Sequence, residues 1–300
     1  MIDIHTHLAL KSIYPKDYLL GMAADGQTLE NKDKVEQVLT LILNDIDAKK
    51  HVKQMADSEI DLAVLLMIDG GVGMGEADFK IEEIYQIHNE IAAAFEGKLI
   101  VFGGLDPRRG AFGRDLFASA VRNNGYRGLK LYPPMGFDMS DSGLESTYRL
   151  CSDYGLSVMV HTGPSLSWMS NEKASPAAVA EVAGRYPDIN FILAHAGYRL
   201  KSAEVREAIK LPNIFVDISG FQKMLPKYIA EGNDELALIF HEKYCHSVLF
   251  GTDWPLFNLM SKLKHDVKTL RDYAASVSAS RGVLDLILHG NARRLLRSDH

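Results

Sequence analysis

Cysteine is scarce in this sequence: Cys151 and Cys245 stand far apart among 300 residues. Two distant thiols build no disulfide framework, which fits a reducing, cytoplasmic setting. Clustered positive charge is missing as well, since Lys and Arg are scattered and the formal net charge is -6. Nucleic acids and anionic membrane surfaces both require such clusters, so neither is expected as a partner. No apolar stretch approaches the roughly 20 residues of a membrane-spanning helix. The chain opens without a charged segment followed by an apolar one, so no signal peptide is expected either.

What is present is an ordinary globular composition, 47% hydrophobic and 24% charged, enough to bury a sizeable core. Within Met1 to His7, apolar Ile2 and Ile4 alternate with Asp3 and His5, a period of two that predicts a short strand. The stretch from Leu8 to Asp33 reads as a long irregular lid or rim, followed by a helical pattern from Val35 through Met55. Ile60 to Ile68 is a nearly continuous apolar run, the mark of a strand buried on both faces of a parallel sheet. Further strands are predicted at Leu99–Leu105, Gly128–Tyr132, Ser157–His161, Asn190–His195, Asn213–Ile218 and Ser247–Asp253. The intervening helices are predicted at Phe79–Phe95, Arg114–Asn123, Leu144–Tyr154, Ser175–Tyr186, Ser202–Lys210 and Glu235–Tyr244, with Leu259–Ala275 and Gly282–Leu296 closing the chain. Ser175-Pro176 supplies an N-cap and a first-turn proline for its helix.

Eight strands, each followed by helical pattern, fold most economically as a closed (β/α)8 TIM barrel. The expectation is an α/β chain with one domain over residues 1–300 and an extended loop and helix insertion after the first strand. A doubly wound open sheet is the alternative, but it normally carries a Gly-rich phosphate loop after its first strand. Here His5-Thr6-His7 stands in that place.

In extended backbone, residues two apart project from the same face, so His5 and His7 can converge on one point. Lys130, His161, His195 and Asp253 also fall in or at the carboxyl ends of predicted strands, the face on which barrel active sites lie. Singly, each has an ordinary reading. A His after an apolar run is commonly a core or rim residue, Asp253 can cap a helix, and Lys130 can snorkel to the barrel mouth. Their common placement is what argues for chemistry. His51, His88, His241, His265 and His300 fall in helical or terminal pattern and read as solvated or structural. Imidazole and carboxylate donors suit Zn2+ first, then Mn2+, Fe2+ or Co2+, and the lack of nearby thiolates argues against a purely structural zinc. An ion with open positions polarises a substrate oxygen or brings the pKa of bound water toward about 7.

The segments Asp3-Ile4-His5-Thr6-His7, Val160-His161-Thr162-Gly163, Ala194-His195-Ala196-Gly197 and Phe250-Gly251-Thr252-Asp253-Trp254-Pro255 resemble the amidohydrolase superfamily. Within it the chain looks most like the amidohydrolase-related branch that contains the aminocarboxymuconate-semialdehyde decarboxylase group. The resemblance runs through Asp106-Pro107 to the closing Gly290-Asn291-Ala292-Arg293-Arg294-Leu295-Leu296. It implies one metal held by His5, His7, His161 and Asp253, with His195 orienting or protonating the substrate. Asp253 would also accept a proton from an attacking water. In two-metal relatives a strand-four lysine is carboxylated and bridges the ions, and His161 and His195 would then serve the second ion. The branch resemblance implies a single ion, with Lys130 left to meet a substrate carboxylate or enolate.

The first functional expectation is therefore a metal-dependent hydrolase of a C–N or ester/lactone bond in a small organic acid. A metal-dependent non-oxidative decarboxylase or hydratase of a small carboxylic acid is the alternative, and a barrel that binds a ligand without turnover is a third reading. Lys130, Tyr132, Trp168, Arg199 and Trp254 are the candidates for binding a small, partly apolar, anionic substrate. Arg108, Arg109, Phe137, Tyr198 and Phe221 also follow strand ends. A symmetric homo-oligomer is the expectation from base rates.

Overall fold

The predicted apolar runs form strands buried almost throughout, as they must be between a barrel interior and a coat of helices. A computed structural model of the chain describes residues 1–24, 31–163, 165–232, 234–256 and 262–296. Its strands are β1 (Ile2–Thr6), β2 (Leu62–Leu66), β3 (Leu99–Gly104), β4 (Gly128–Leu131), β5 (Ser157–His161), β6 (Phe191–Ala194), β7 (Ile214–Asp217) and β8 (Val248–Leu249). They form one sheet in sequence order, and every neighbouring pair is parallel. Main-chain bonds tie β1 to the chain after β8. Ile4 N donates to Phe250 O at 3.0 Å, Asp253 N to His5 O at 2.7 Å and His7 N to Trp254 O at 2.7 Å. The fold is the (β/α)8 barrel that the alternation predicts.

Alternate residues of the strands serve two cores. Ala63, Leu65 and Met67 join a large cluster with the surrounding helices. Val64 and Leu66 join a smaller one with Ile2, Ile4, Phe102, Met159, Ile192, Phe215 and Leu249, the barrel interior. Lys130 pairs in register with Gly104 on one side and Met159 on the other. Paired residues of parallel strands face the same way, so β4 contributes a lysine to an interior that its neighbours fill with apolar groups.

The insertion after β1 is more ordered than its composition suggests. It contains a 3-10 turn at Lys11–Ile13 and a helix at Lys16–Ala24, within the stretch expected to be irregular, while residues 25–30 of that stretch lie outside the described residues. The long helical pattern after it is two helices, Lys32–Ile42 and Lys49–Asp57. Asp45 separates them: its carboxylate accepts from Lys50 N at 3.0 Å and His51 N at 2.8 Å, satisfying first-turn donors of the second helix.

On the far side, the helix Phe221–Glu231 is absent from the sequence reading because Pro226 stands inside it, whereas the predicted helix at Glu235–Tyr244 is only a 3-10 stretch, Glu235–Phe240. β8 stops at Leu249, and the chain beyond it turns to a left-handed Asp253, φ 58°. The penultimate helix runs Leu263–Ser276, with the predicted start at Leu259 outside the described residues. The last predicted helix is interrupted by a π-turn at Leu286–Gly290. Among the described residues no helix is long and apolar enough to cross a membrane.

Candidate active site

The barrel brings His5, His7, Lys130, His161, His195 and Asp253 to its carboxyl end and buries all six, with at most 7% of any of them exposed. His5 and His7 lie at the end of β1, His161 ends β5, and His195 follows β6 in a left-handed conformation, φ 59°. Asp253 Oδ1 lies 3.3 Å from His5 Nε2 and 3.1 Å from His7 Nε2. The rings of His5 and His195 are 4.8 Å apart, and those of His161 and His195 are 4.9 Å apart. One ligand atom each from His5, His195 and Asp253 falls within 4.8 Å of the others. Gly251 is needed here, because a Cβ on it would sit 2.9 Å from His5 Cβ.

Partners fix how these rings present themselves. His7 Nδ1 donates to Leu66 O at 2.7 Å, leaving its Nε2 lone pair toward Asp253. His5 Nδ1 donates to Asp217 Oδ2 at 2.8 Å. A metal-binding histidine is commonly held in this way through its second nitrogen. Asp3, beneath them, accepts from His5 N, Thr252 N and Thr252 Oγ1 and so ties β1 to the loop that carries Asp253.

Burial would raise the pKa of Asp253, but the close approach of His5, and then of His7, holds it well below the ordinary carboxylate range. Burial lowers His195 to about 4, with the nearby His5 adding to the effect. Burial also pulls His161 well below its usual value, with His195 next in weight. Burial pulls Lys130 down to about 8, against Asp217 and Asp253, which favour its charge. Neutral His7, His161 and His195 around an ionised carboxylate are in the protonation states a divalent ion requires of its ligands, while His5, which burial alone would lower, is raised by Asp217 and Asp253. His161 Nε2 is buried with no hydrogen-bond partner among the described residues, a cost that a ligand would relieve. The donor set fits a divalent metal.

The remaining predicted residues divide. Tyr132 stacks on His161, centroids 4.2 Å apart, and shares a hydrogen bond with Ser165 Oγ at 2.9 Å. Trp254 stacks on His51, also at 4.2 Å. Arg199 Nη2 donates to Thr162 O, one residue from His161, and its Nε has no partner among the described residues. Trp168 is 58% exposed. Arg108 is taken by Asp106, and Arg109 by Asp69 and Glu76. The side chain of Tyr198 lies outside the described residues.

Sequence reasoning passes over Asp217 and Ser219 at the end of β7, and over Tyr14 and Tyr18 of the insertion. Tyr18 and Tyr132 meet edge to face, centroids 6.2 Å apart. Asp217 ends β7 as His161 ends β5, but Ile218 continues the apolar pattern past it. Nothing in the insertion's sequence aims Tyr14 and Tyr18 at the barrel mouth.

A family model described as Amidohydrolase matches residues 2–298. The chain belongs to the amidohydrolase family. No curated protein matches it. Among solved structures, this amidohydrolase-family barrel is similar to an uncharacterized TIM-barrel protein of Bordetella bronchiseptica, at 17% identity, TM-score 0.67, over 99% of this chain and 98% of that one. It is similar to 5-carboxyvanillate decarboxylase of Sphingomonas paucimobilis, at 15% identity, TM-score 0.62, over 98% of each chain. It is also similar to a dihydroxybenzoic acid decarboxylase of Polaromonas with bound manganese and the inhibitor 2-nitroresorcinol, at 14% identity, TM-score 0.62, over 99% and 98%. Likenesses this low in identity carry the fold.

Proposed function

We propose that this amidohydrolase-family protein is a metal-dependent decarboxylase of a small, planar carboxylic acid. The observation that carries the reading is Lys130, an interior lysine, 2% exposed, whose Nζ has no hydrogen-bond partner among the described residues. An orphaned ammonium in a barrel interior is costly, and a substrate carboxylate is the group that would complete it. Tyr132 stacks on His161 and meets Tyr18 edge to face, and these rings favour a flat partner. Support comes also from the two decarboxylases among the similar structures, one of them holding manganese.

His5, His7, His161 and Asp253 would hold the ion, with His195 near enough to join them. When bound, the ion polarises an oxygen of the substrate. Lys130 binds the carboxylate, and the buried site excludes water from the reacting carbon. His195, neutral with its Nδ1 against Ser219, accepts a proton at Nε2 from the substrate's acidic oxygen and returns it to the carbon as carbon dioxide leaves. The sum is RCOO⁻ + H⁺ → RH + CO2.

Hydrolysis of a C–N or ester/lactone bond is the second reading. It is favoured by Asp253, which stays ionised beside two imidazoles and is suited to take a proton from water. Manganese-loaded and zinc-loaded protein, offered hydroxybenzoates on one side and lactones and amides on the other, separates the two. Carbon dioxide release is the expected outcome, and hydrolysis without it overturns the proposal. His195→Asn should retain one equivalent of metal while losing most turnover; loss of metal would instead make His195 a ligand.

A further inference from the structure

Ser219 lies two residues beyond the end of β7, fully buried, between the two imidazoles on which the site depends. Its Oγ is 3.1 Å from His5 Nδ1 and 2.8 Å from His195 Nδ1. Its carbonyl oxygen is 3.2 Å from the same His195 nitrogen. The hydroxyl proton is committed elsewhere, since Ser219 Oγ donates to Asp217 Oδ1. That carboxylate oxygen also accepts from Ser219 N at 2.9 Å and from His195 N at 3.0 Å, so it holds both the serine and the left-handed backbone of His195.

These contacts determine protons. A carbonyl oxygen accepts only, and a hydroxyl that has given its hydrogen to a carboxylate can offer a neighbour only a lone pair. His195 Nδ1 must then carry a hydrogen, and Nε2 carries the lone pair. Asp217 Oδ2, an acceptor, imposes the same tautomer on His5. One hydroxyl and one carboxylate thereby set both rings in step.

We propose that Ser219 is a positioning residue that locks His195 in the Nδ1–H tautomer in register with His5, turning both Nε2 lone pairs toward the space shared with Asp253. The assignment rests on reading that space as a metal centre, but the tautomer itself is a property of the metal-free chain. It also fixes what neutral His195 can do first: it accepts a proton or binds an ion through Nε2, and donates only after it has been protonated.

The test is long-range ¹H–¹⁵N correlation spectroscopy of the metal-free full chain labelled with ¹⁵N-histidine. His5 and His195 signals are assigned by the absent peaks of His5→Asn and His195→Asn. Both rings in the wild type should show a protonated Nδ1. In Ser219→Ala only the longer 3.2 Å carbonyl contact remains on His195 Nδ1, so His195 should gain a measurable share of the Nε2–H tautomer, while His5 keeps its pattern because Asp217 remains. A wild-type His195 protonated on Nε2 overturns the proposal without any variant, so a Ser219→Ala chain that fails to fold leaves it decidable. A Ser219→Ala chain that melts earlier yet keeps the His195 tautomer unchanged also overturns it, since Ser219 would then only pack. If the tautomers are as expected and no divalent ion binds, the lock stands and the metal-dependent reading of the function falls.

Discussion

Asp217 accepts the Nδ1 hydrogen of His5 at 2.8 Å across 212 residues of sequence. Burial alone would raise Asp217, but the adjacent His5 holds it below the usual carboxylate range, so the pair is an anion supporting a ring. Asp217→Asn keeps the shape and removes the charge, and the amide can turn a donor toward His5. Divalent metal affinity should fall about 10- to 100-fold, measured by competition with a chromophoric chelator. Wild-type affinity in this variant would remove Asp217 from the support of the site.

Lys130 sets function against stability. Burial takes its pKa from 10.5 to about 8, a penalty on the order of 3 kcal/mol against the unfolded chain at neutral pH. Lys130→Met fills similar volume without the charge. The metal-free variant should gain on the order of 1–3 kcal/mol in urea unfolding, while turnover of a carboxylic acid falls by at least tenfold. A variant that is less stable than the wild type would show that the ammonium is satisfied in the folded protein.

Much of the site is legible because an apolar run ends where a polar residue begins. Val158-Met159-Val160 points to His161, and the structure puts that residue at the barrel mouth as the run implies. Asp217 is harder to read, since Ile218 continues the apolar pattern past it and hides the strand end. Ser219 carries no signal of its own, because its role exists only through the ring nitrogens that the fold brings beside it. The helix Phe221–Glu231 has buried Phe221, Leu225 and Tyr228 on one face, yet Pro226 argues locally for a break. Asp45 splits a helical pattern whose apolar spacing runs on without interruption, since a side-chain cap leaves little mark on hydrophobic period.

His51 supplies a pH signature away from the metal donors. It is buried against Trp254, and burial lowers its pKa from 6.5 to about 3. Above pH 6.5 the ring is neutral in both folded and unfolded chains and contributes no pH dependence. Below that, the unfolded chain takes up a proton that the folded one refuses, so stability falls as pH drops from 6.5 toward 3, at up to about 1.4 kcal/mol per pH unit. His51→Phe keeps a ring on Trp254 and should show a correspondingly shallower loss in urea midpoints between pH 6.5 and 4. Parallel curves for the two proteins would mean that His51 titrates normally in the folded state.

Gly251 tests whether the approach of β1 to the chain after β8 matters to the site. A Cβ there would lie 2.9 Å from His5 Cβ and 3.4 Å from Ser219 Cβ, so Gly251→Ala must push His5 away from Asp253 or spread the barrel seam. Overpacking of this kind costs about 1–3 kcal/mol, and displacing His5 should weaken metal binding as well. Gly184, in the helix Pro176–Arg185, has nothing near its missing Cβ. Gly184→Ala should therefore be neutral or stabilise by up to about 1 kcal/mol through helix propensity alone. Thermal melts and chelator titrations of the two variants side by side separate a local steric effect at His5 from a general intolerance of added methyl groups. Equal losses in both would show that the seam at His5 has room to spare.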